Sequence, residues 1–389
     1  MKPECVMLAL IRSEMLGKTA DDDITNGLTD EALKELYVVS KKHDLSHIIA
    51  SALSKKGRLR GDEISAKFDR QKMIALYRDG QRGYALGLLS SVLEAAGIAH
   101  MPLKGSVLCQ YYPHTWMRTS CDVDVLINSK DVLTAEKALC EAGFRRDNDK
   151  STHDYNFTSP NDVHIELHYT LTQDGRVASS DSLLESVWED YALPDKGTSF
   201  RYMMTPELFT VYHLAHMGRH LIYGGCGVRP FIDLWLINGK LGIDQTKLGE
   251  LLEKSGLHEL YRLSSDLAEV WLEGRDHTED TALLESFILS GGVYGNADNA
   301  ASVRAARGMG KLRSFFSMVF LPRKNLQVIY PKLEKYPILL PFYQIKRWFG
   351  VFNKDKRRRV KRLYDARDAV TDESEDKARA LLDSLGLNK

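Results

Sequence analysis

The chain has 389 residues, of which 43% are hydrophobic and 27% charged, a composition typical of a folded globular protein of two or three domains. Its 53 lysine and arginine residues equal its 53 aspartate and glutamate residues, which excludes a polycation that binds nucleic acid through its overall charge. The five cysteines include no C-x-x-C pair, which argues against a disulfide framework or a zinc knuckle.

The first residues of the chain contain only a short apolar run, which Arg12 and Glu14 interrupt. We therefore expect no signal peptide there. No apolar stretch approaches the roughly 20 residues that span a bilayer, so we expect no membrane partner. Together with the cysteine content, these features predict a cytoplasmic protein.

Helical periodicity marks the N-terminal part of the chain. Thr29 or Asp30 is a suitable N-cap for an early helix. A long apolar pattern over residues 64–96, without any proline, predicts a second helix that ends near Gly97. The first predicted unit is thus a helical N-terminal region, residues 1–97.

Short strands and helices alternate in the second predicted unit, residues 98–200. One helix is predicted from Val107 to Tyr112. A second is predicted to begin at Ser129 or Asp131 as N-cap and to run to Glu141, where Gly143 closes it. Strands are predicted at residues 98–103, 121–127, 144–147, 154–158 and 163–169. This order predicts an α+β domain built on a small mixed sheet.

Helical periodicity returns in the third predicted unit, residues 201–320. Thr205 is a suitable N-cap and Pro206 a suitable first residue for a helix that carries three histidines near one face, namely His213, His216 and His220. A zinc site would need further ligands, so a polar stripe facing the sheet is the favoured interpretation. Asp233, in the next predicted helix, is interpreted as a buried partner for Arg229 or as a residue of the cleft.

The fourth predicted unit, residues 321–389, is a C-terminal helical region with a basic segment. Seven of the nine residues 354–362 are lysine or arginine, and an acid-rich stretch follows at residues 368–376. Such a run is usually a solvated helix face, here neutralised by the acidic stretch. Contact with nucleic acid is an alternative that we do not favour.

The residues with the clearest chemistry lie in the second unit. Asp122 and Asp124 are one residue apart in an apolar strand, so both point to the same face. Paired carboxylates repel each other unless a cation lies between them, and magnesium prefers oxygen ligands. Upstream, Lys104-Gly105-Ser106 predicts a turn that presents backbone N–H groups and a positive charge to a phosphate. A carboxylate-bound metal beside such a turn is typical of phosphoryl or nucleotidyl transfer.

A third carboxylate on a later strand would complete a metal site. Glu166 is the best candidate because it lies in the alternating run V-H-I-E-L-H-Y, and its face also carries His164 and His168. Asp162 is a weaker candidate because it lies in the preceding turn. We expect His168 to pack rather than to bind metal.

Several motifs follow one another in a characteristic order. They are L-K-G, Y-P, R-x-x-x-D-x-D-x-L-I and E-L-H, followed by H-L-A-H and R-P-F-I-D-L. This order resembles a family of uncharacterised bacterial nucleotidyltransferases in the polymerase-beta-like superfamily, over residues 75–350. The resemblance implies a small mixed sheet of that superfamily's type, with helical N-terminal and C-terminal regions.

The resemblance also implies a reaction and a set of metal ligands. Asp122, Asp124 and Glu166 would bind magnesium and form the catalytic centre. A hydroxyl group of an acceptor would attack the α-phosphate of a nucleoside triphosphate such as ATP and release pyrophosphate. The sequence identifies neither the acceptor nor the base.

Four residues would bind the triphosphate if the resemblance holds. Gly105 and Ser106 would cradle it, with Lys104 nearby, and Arg118 would stabilise the charge of the phosphates. Residues 107–121 form a longer spacer between Ser106 and the first aspartate than the shortest versions of the superfamily signature have.

Other interpretations remain open for these residues. The aspartate pair can be a solvated edge strand, Lys104 and Glu166 can be surface residues, and Arg118 can pair with Asp122 for structural reasons alone. At the level of function, the alternatives are a nucleotide-binding pseudo-enzyme and an RNA-binding or RNA-modifying protein.

Overall fold

The computed structural model describes residues 1–147, 153–172, 177, 179–308, 320–323, 326–327, 330, 332–349, 365–366 and 368–388. The basic segment, residues 354–362, lies outside the described residues, so its interpretation stays a prediction. The described strands are β1 (His100–Pro102), β2 (Asp122–Ile127), β3 (Arg145–Arg146), β4 (Asp154–Thr158), β5 (His164–His168), β6 (Ala192–Pro194) and β7 (Tyr202–Met204).

Helices precede, interrupt and follow the strands. They are α1 (Pro3–Met15), α2 (Asp22–Asn26), α3 (Asp30–Lys42), α4 (Ser46–Lys55), α5 (Glu63–Ala95), α6 (Lys104–Leu108), α7 (Val132–Glu141), α8 (Asp181–Glu185), α9 (Val187–Asp190), α10 (Pro206–Ile222), α11 (Arg229–Lys240), α12 (Gln245–Ser255), α13 (His258–Glu273), α14 (Glu279–Ser290), α15 (Ala297–Ala306), α16 (Lys332–Lys335), α17 (Leu340–Phe349) and α18 (Asp372–Ser384). The predicted mixed α+β fold with helices at both ends of the chain is confirmed.

The main sheet has the strand order β1-β2-β5-β4-β3. Strands β2 and β5 pair in parallel, and the other neighbours pair antiparallel. The parallel register places Asp124 directly opposite Glu166, and Asp122 opposite His164. Because side chains alternate along a strand, these four polar residues lie on one face of the sheet.

The other face of the sheet is covered by helices α5 and α7. Val123, Val125 and Ile165 point into this layer and pack in one buried cluster with residues of both helices, such as Leu89 and Leu139. Burial of this apolar face determines which side chains face outwards, because a shift of one residue would bury the carboxylates instead. The core therefore fixes the orientation of the acidic face.

Helices that precede the sheet and helices that follow it share a larger buried cluster. It joins α1, α3 and α4 to α10, α11 and α13. On α1, Arg12 donates hydrogen bonds to the backbone carbonyls of Val270 and Trp271 near the end of α13, at 2.9 and 2.8 Å. The predicted unit boundaries at residues 97, 200 and 320 stay predictions. Within the described residues, no helix is both long and apolar enough to cross a membrane.

Local signals placed most helix ends correctly. Thr29 and Thr205 each accept a hydrogen bond from a backbone N–H in the first turn of the helix they cap. One prediction was wrong, because the helix expected from residue 107 already begins at Lys104. Leu103 is still extended, and the chain turns at Lys104, whose φ of 44° is uncommon for a residue other than glycine.

Two buried histidines make the stability of the helical region dependent on pH. His43 and His47 are 0% and 3% exposed, and burial lowers the pKa of each from 6.5 to about 4. Both stay neutral in the folded protein while the unfolded chain takes up protons below 6.5. Stability is therefore lost as the pH falls from 6.5 towards 4, by about 2 kcal/mol for each histidine between pH 7.5 and pH 5.

Urea unfolding of wild type and His47→Gln at pH 7.5 and pH 5 tests this expectation. Glutamine can keep the hydrogen bond that His47 Nε2 makes with the carbonyl oxygen of Met117 at 2.9 Å, but it does not titrate. We expect the drop in the free energy of unfolding to be about 2 kcal/mol smaller in the variant. Equal drops in both proteins would contradict the assignment.

Candidate active site

The acidic face of the sheet opens into a cleft of about 680 Å³. Asp122, Asp124 and Glu166 line it from the sheet, and Lys104 and Gly105 line it from the first turn of α6. The opposite wall comes from α10, from the beginning of α11 and from the loop before α15. The predicted acids therefore face one enclosed space that a ligand can enter.

Asp124 and Glu166 form the centre of the acidic group. Asp124 is 3% exposed, and Glu166 lies opposite it on the neighbouring strand. Potential ligand atoms of Asp124, Glu166 and His168 all lie within 4.8 Å of one another, a group in which Asp122 is not included. Asp122 lines the same cleft, where its carboxylate accepts a hydrogen bond from the hydroxyl of Ser120.

Lys104 is the main counterion of Asp124. Its ammonium nitrogen lies 2.7 Å from Asp124 Oδ1. Burial penalises both charged groups, yet Tyr212 and Asp124 raise the pKa of Lys104, and Lys104 and His168 hold the pKa of Asp124 below its ordinary 3.8. Both groups are therefore charged at neutral pH. Lys104 contacts one of the predicted metal-binding acids, in addition to forming part of the predicted phosphate-binding turn.

His168 is a second hydrogen-bonding partner of the acids. It is 1% exposed, and its Nε2 lies 3.0 Å from Asp124 Oδ1 and 3.3 Å from Glu166 Oε2. Burial alone would lower its pKa, but the hydrogen bonds to these two carboxylates raise it above 6.5. His168 packs in the protein interior, as the sequence suggested, but it also belongs to the group of potential metal ligands. It shares a second such group with His153 and Asp154.

The predicted phosphate turn is the first turn of α6. A side-chain carbon at Gly105 would lie 3.2 Å from Arg118 Nη1, so the guanidinium would have to move by a few tenths of an ångström to make room for it. The hydroxyl of Ser106 is buried and has no hydrogen-bond partner in the described structure. The turn thus brings together a glycine, a buried hydroxyl group and an arginine.

Arg118 is held by Asp233 and not by Asp122. Its Nε lies 2.9 and 3.0 Å from the two Asp233 oxygens, and the hydroxyl of Tyr112 donates to the same carboxylate at 2.7 Å. Asp233 is therefore not the partner of Arg229, which instead pairs with Asp44 at 2.6 Å. The two structural pairs that the sequence left open, Arg118 with Asp122 and Arg229 with Asp233, do not form, and the partners found instead lie 115 and 185 positions apart in the chain. Asp233 lines the cleft, which was the other interpretation of this residue.

The three histidines of α10 line the cleft, but other contacts engage them. His213 Nε2 lies 2.9 Å from the carbonyl oxygen of Pro230, and His216 and His220 pair through their Nε2 atoms at 3.1 Å. Burial lowers the pKa of all three below 6.5, so they are neutral at pH 7. Neither group of potential metal ligands in the described part of the chain includes them. The polar stripe facing the sheet describes them better than a zinc site.

Three further cleft residues were not identified from the sequence. Tyr212 and Arg219 lie on α10, four residues before and three after His216, and Arg78 lies on α5. The helical spacing around His216 predicts that Tyr212 and Arg219 share its face. Arg78 carried no such signal, because its position depends on how α5 packs beside the start of β2.

The comparisons with known proteins found one match. The model of a family described as "Uncharacterised nucleotidyltransferase" matches residues 29–273. The matched part runs from the N-cap of α3 to the end of α13 and contains the acids, the turn at Lys104 and both walls of the cleft. No curated protein and no solved structure matches the chain.

Proposed function

Because the chain belongs to this family of uncharacterised nucleotidyltransferases, we propose that it transfers a nucleoside monophosphate from a nucleoside triphosphate, such as ATP, to a hydroxyl group of an acceptor. The observation that carries the proposal is the placement of Glu166 directly opposite Asp124, inside a cleft that Asp122 also lines. Three carboxylates gathered from two strands provide oxygen ligands for a divalent cation.

The residues present fit magnesium. Asp122, Asp124 and Glu166 supply hard oxygen ligands. Among the described residues, a lysine and a histidine pair with Asp124 and Glu166, and no arginine does. Bound divalent cations at such a site activate an attacking hydroxyl and neutralise a leaving pyrophosphate. His168 orients Asp124 and Glu166 by donating to both carboxylates, and it keeps their oxygens turned towards the cleft.

Residues around α6 are proposed to bind the triphosphate. Gly105 lines the cleft in the first turn of α6, and its backbone N–H is proposed to bind the phosphates. Ser106 does not line the cleft, and its N–H donates to the carbonyl oxygen of Leu103 at 3.0 Å, so its buried, unpartnered hydroxyl is the donor that remains. Lys104 is the first residue of this turn and pairs with Asp124, so it holds the turn beside the acids. Arg118, whose charge Asp233 balances, contributes directed hydrogen bonds beside Gly105 rather than net positive charge.

Release of pyrophosphate tests the proposal. The protein is incubated with each nucleoside triphosphate, magnesium and a panel of hydroxyl acceptors, including sugars, proteins and RNA ends. Calorimetry with a non-hydrolysable nucleotide and magnesium accompanies the assay. We expect binding together with acceptor-dependent release. Binding without release over the whole panel would favour a nucleotide-binding pseudo-enzyme, and the absence of both would refute the proposal.

A further inference from the structure

The cleft is lined by equal numbers of acidic and basic residues. Five are acidic and five are lysine or arginine: Asp44, Asp122, Asp124, Glu166 and Asp233 on one side, and Arg78, Lys104, Arg118, Arg219 and Arg229 on the other. An anionic substrate gains little from a cation that a protein carboxylate already neutralises. Which cations remain available therefore decides where phosphates can bind.

Three of the five cations are neutralised within the protein. The pairs are Lys104 with Asp124 at 2.7 Å, Arg118 with Asp233 at 2.9 Å and Arg229 with Asp44 at 2.6 Å. In the first two pairs both side chains are mostly buried, with no more than 20% of either exposed. Such pairs are costly to separate, because each partner would be left as an isolated charge away from water.

Two acids and two arginines remain after these pairs are formed. Asp122 and Glu166 have no lysine or arginine partner among the described residues, and they are the carboxylates proposed to bind a cation. Arg78 and Arg219 likewise form no ion pair within the described part of the chain. The only hydrogen bond of the Arg78 side chain there is a weak one, from Nη1 to Cys121 Sγ at 3.7 Å.

The two arginines line the same cleft as the acidic group and lie on separate helices. Arg78 contacts Cys121, which immediately precedes Asp122 in the chain. Arg219 lies on α10, one turn beyond His216, and both residues line the cleft together with Lys104. Both guanidinium groups therefore border the space in which a nucleotide would meet the acids.

We propose that Arg78 and Arg219 bind the phosphates of the donor nucleotide and supply the positive charge that Lys104 and Arg118 cannot. The proposal rests on the proposed function. A triphosphate carries more negative charge than one divalent cation neutralises, and the forked donors of arginine match phosphate oxygens in pairs. Lys104, Gly105, Ser106 and Arg118 then shape the turn around the phosphates, while the two unpaired arginines provide net attraction.

Calorimetry of arginine variants tests this assignment. Arg78→Gln and Arg219→Gln are titrated with inorganic tripolyphosphate and with a non-hydrolysable nucleotide in the presence of magnesium. Each variant should bind both probes about tenfold more weakly than wild type, the effect of one lost charge-assisted hydrogen-bonding group. The corresponding lysine variants should recover part of the affinity, because they keep the charge but lose the fork.

A matched control comes from the same helix. Arg70→Gln removes an exposed arginine of α5 that does not line the cleft, and it should bind both probes as tightly as wild type. Arg78 is exposed and Arg219 is half-buried, and neither has an ion-pair partner among the described residues. Thermal unfolding of all variants should therefore match wild type.

The outcomes separate this assignment from the proposed function. If wild type binds neither probe, the proposed function fails. If wild type binds and both glutamine variants bind equally well, the assignment of the arginines is wrong while the proposed function stands. A loss in one variant alone contradicts the assignment of the other arginine.

Discussion

Glu166→Gln is expected to reduce nucleotidyl transfer by at least about a hundredfold, equivalent to ~3 kcal/mol of transition-state stabilisation, while the protein stays fully folded. The amide keeps the shape of the side chain but removes the negative charge that a divalent cation needs. Glu166 has no lysine or arginine partner among the described residues and its side chain is 26% exposed. Glutamine keeps an oxygen that can accept from His168, so we expect the fold to be retained. Pyrophosphate release and thermal unfolding measure the two effects.

Asp162→Asn is the matched control for this variant. Asp162 lies in the turn between β4 and β5, its side chain is 79% exposed, and the side chain of its partner Arg145 is 70% exposed. Its φ of 60° is one that asparagine also adopts readily, so the change leaves the backbone undisturbed. We expect full transfer activity in this variant. A Glu166→Gln enzyme as active as Asp162→Asn would show that the third carboxylate has no catalytic role.

Lys104→Met is expected to lower the free energy of unfolding by about 3–5 kcal/mol, because it leaves the buried Asp124 carboxylate without its main counterion. Methionine approximates the aliphatic part of lysine, so packing changes little. His168 remains as a partner and keeps the site from collapsing completely. Urea unfolding at pH 7 measures the loss.

Magnesium should restore more stability to Lys104→Met than to wild type. In the variant, a divalent cation can take the place of the ammonium beside Asp124, and binding to the folded state alone stabilises it. Lys55→Met is the matched control, because Lys55 pairs at 2.8 Å with the buried Glu14, which does not line the cleft. That variant should lose stability without any gain from magnesium. Equal gains in the two variants would contradict a cation site at Asp124.

Local patterns in the chain were sufficient to predict the strands that carry the acids. Apolar residues alternate with Asp122, Asp124 and Glu166, and burial of the apolar set against α5 and α7 leaves only one orientation for the acids. The caps at Thr29 and Thr205 depend on a few neighbouring residues and were found for the same reason. These strands and helix caps were predictable because each depends mainly on residues close to it in the sequence.

Contacts between distant parts of the chain could not be predicted in this way. The pairing of Arg118 with Asp233 requires α11 to lie against the turn at Gly105, which no local period indicates. Likewise, Lys104 meets Asp124 only because the chain turns at Lys104 itself, with a positive φ that a sequence pattern does not suggest. The distribution of charge in the cleft, on which the proposed role of Arg78 and Arg219 rests, depends on such contacts.

A crystal structure of the protein with a non-hydrolysable nucleoside triphosphate and magnesium tests the central claim most directly. We predict at least one magnesium ion coordinated by oxygens of Asp122, Asp124 and Glu166, with the triphosphate between these acids and the turn at Gly105. A nucleotide bound with no metal at the acids, or a metal bound away from all three carboxylates, would contradict the account.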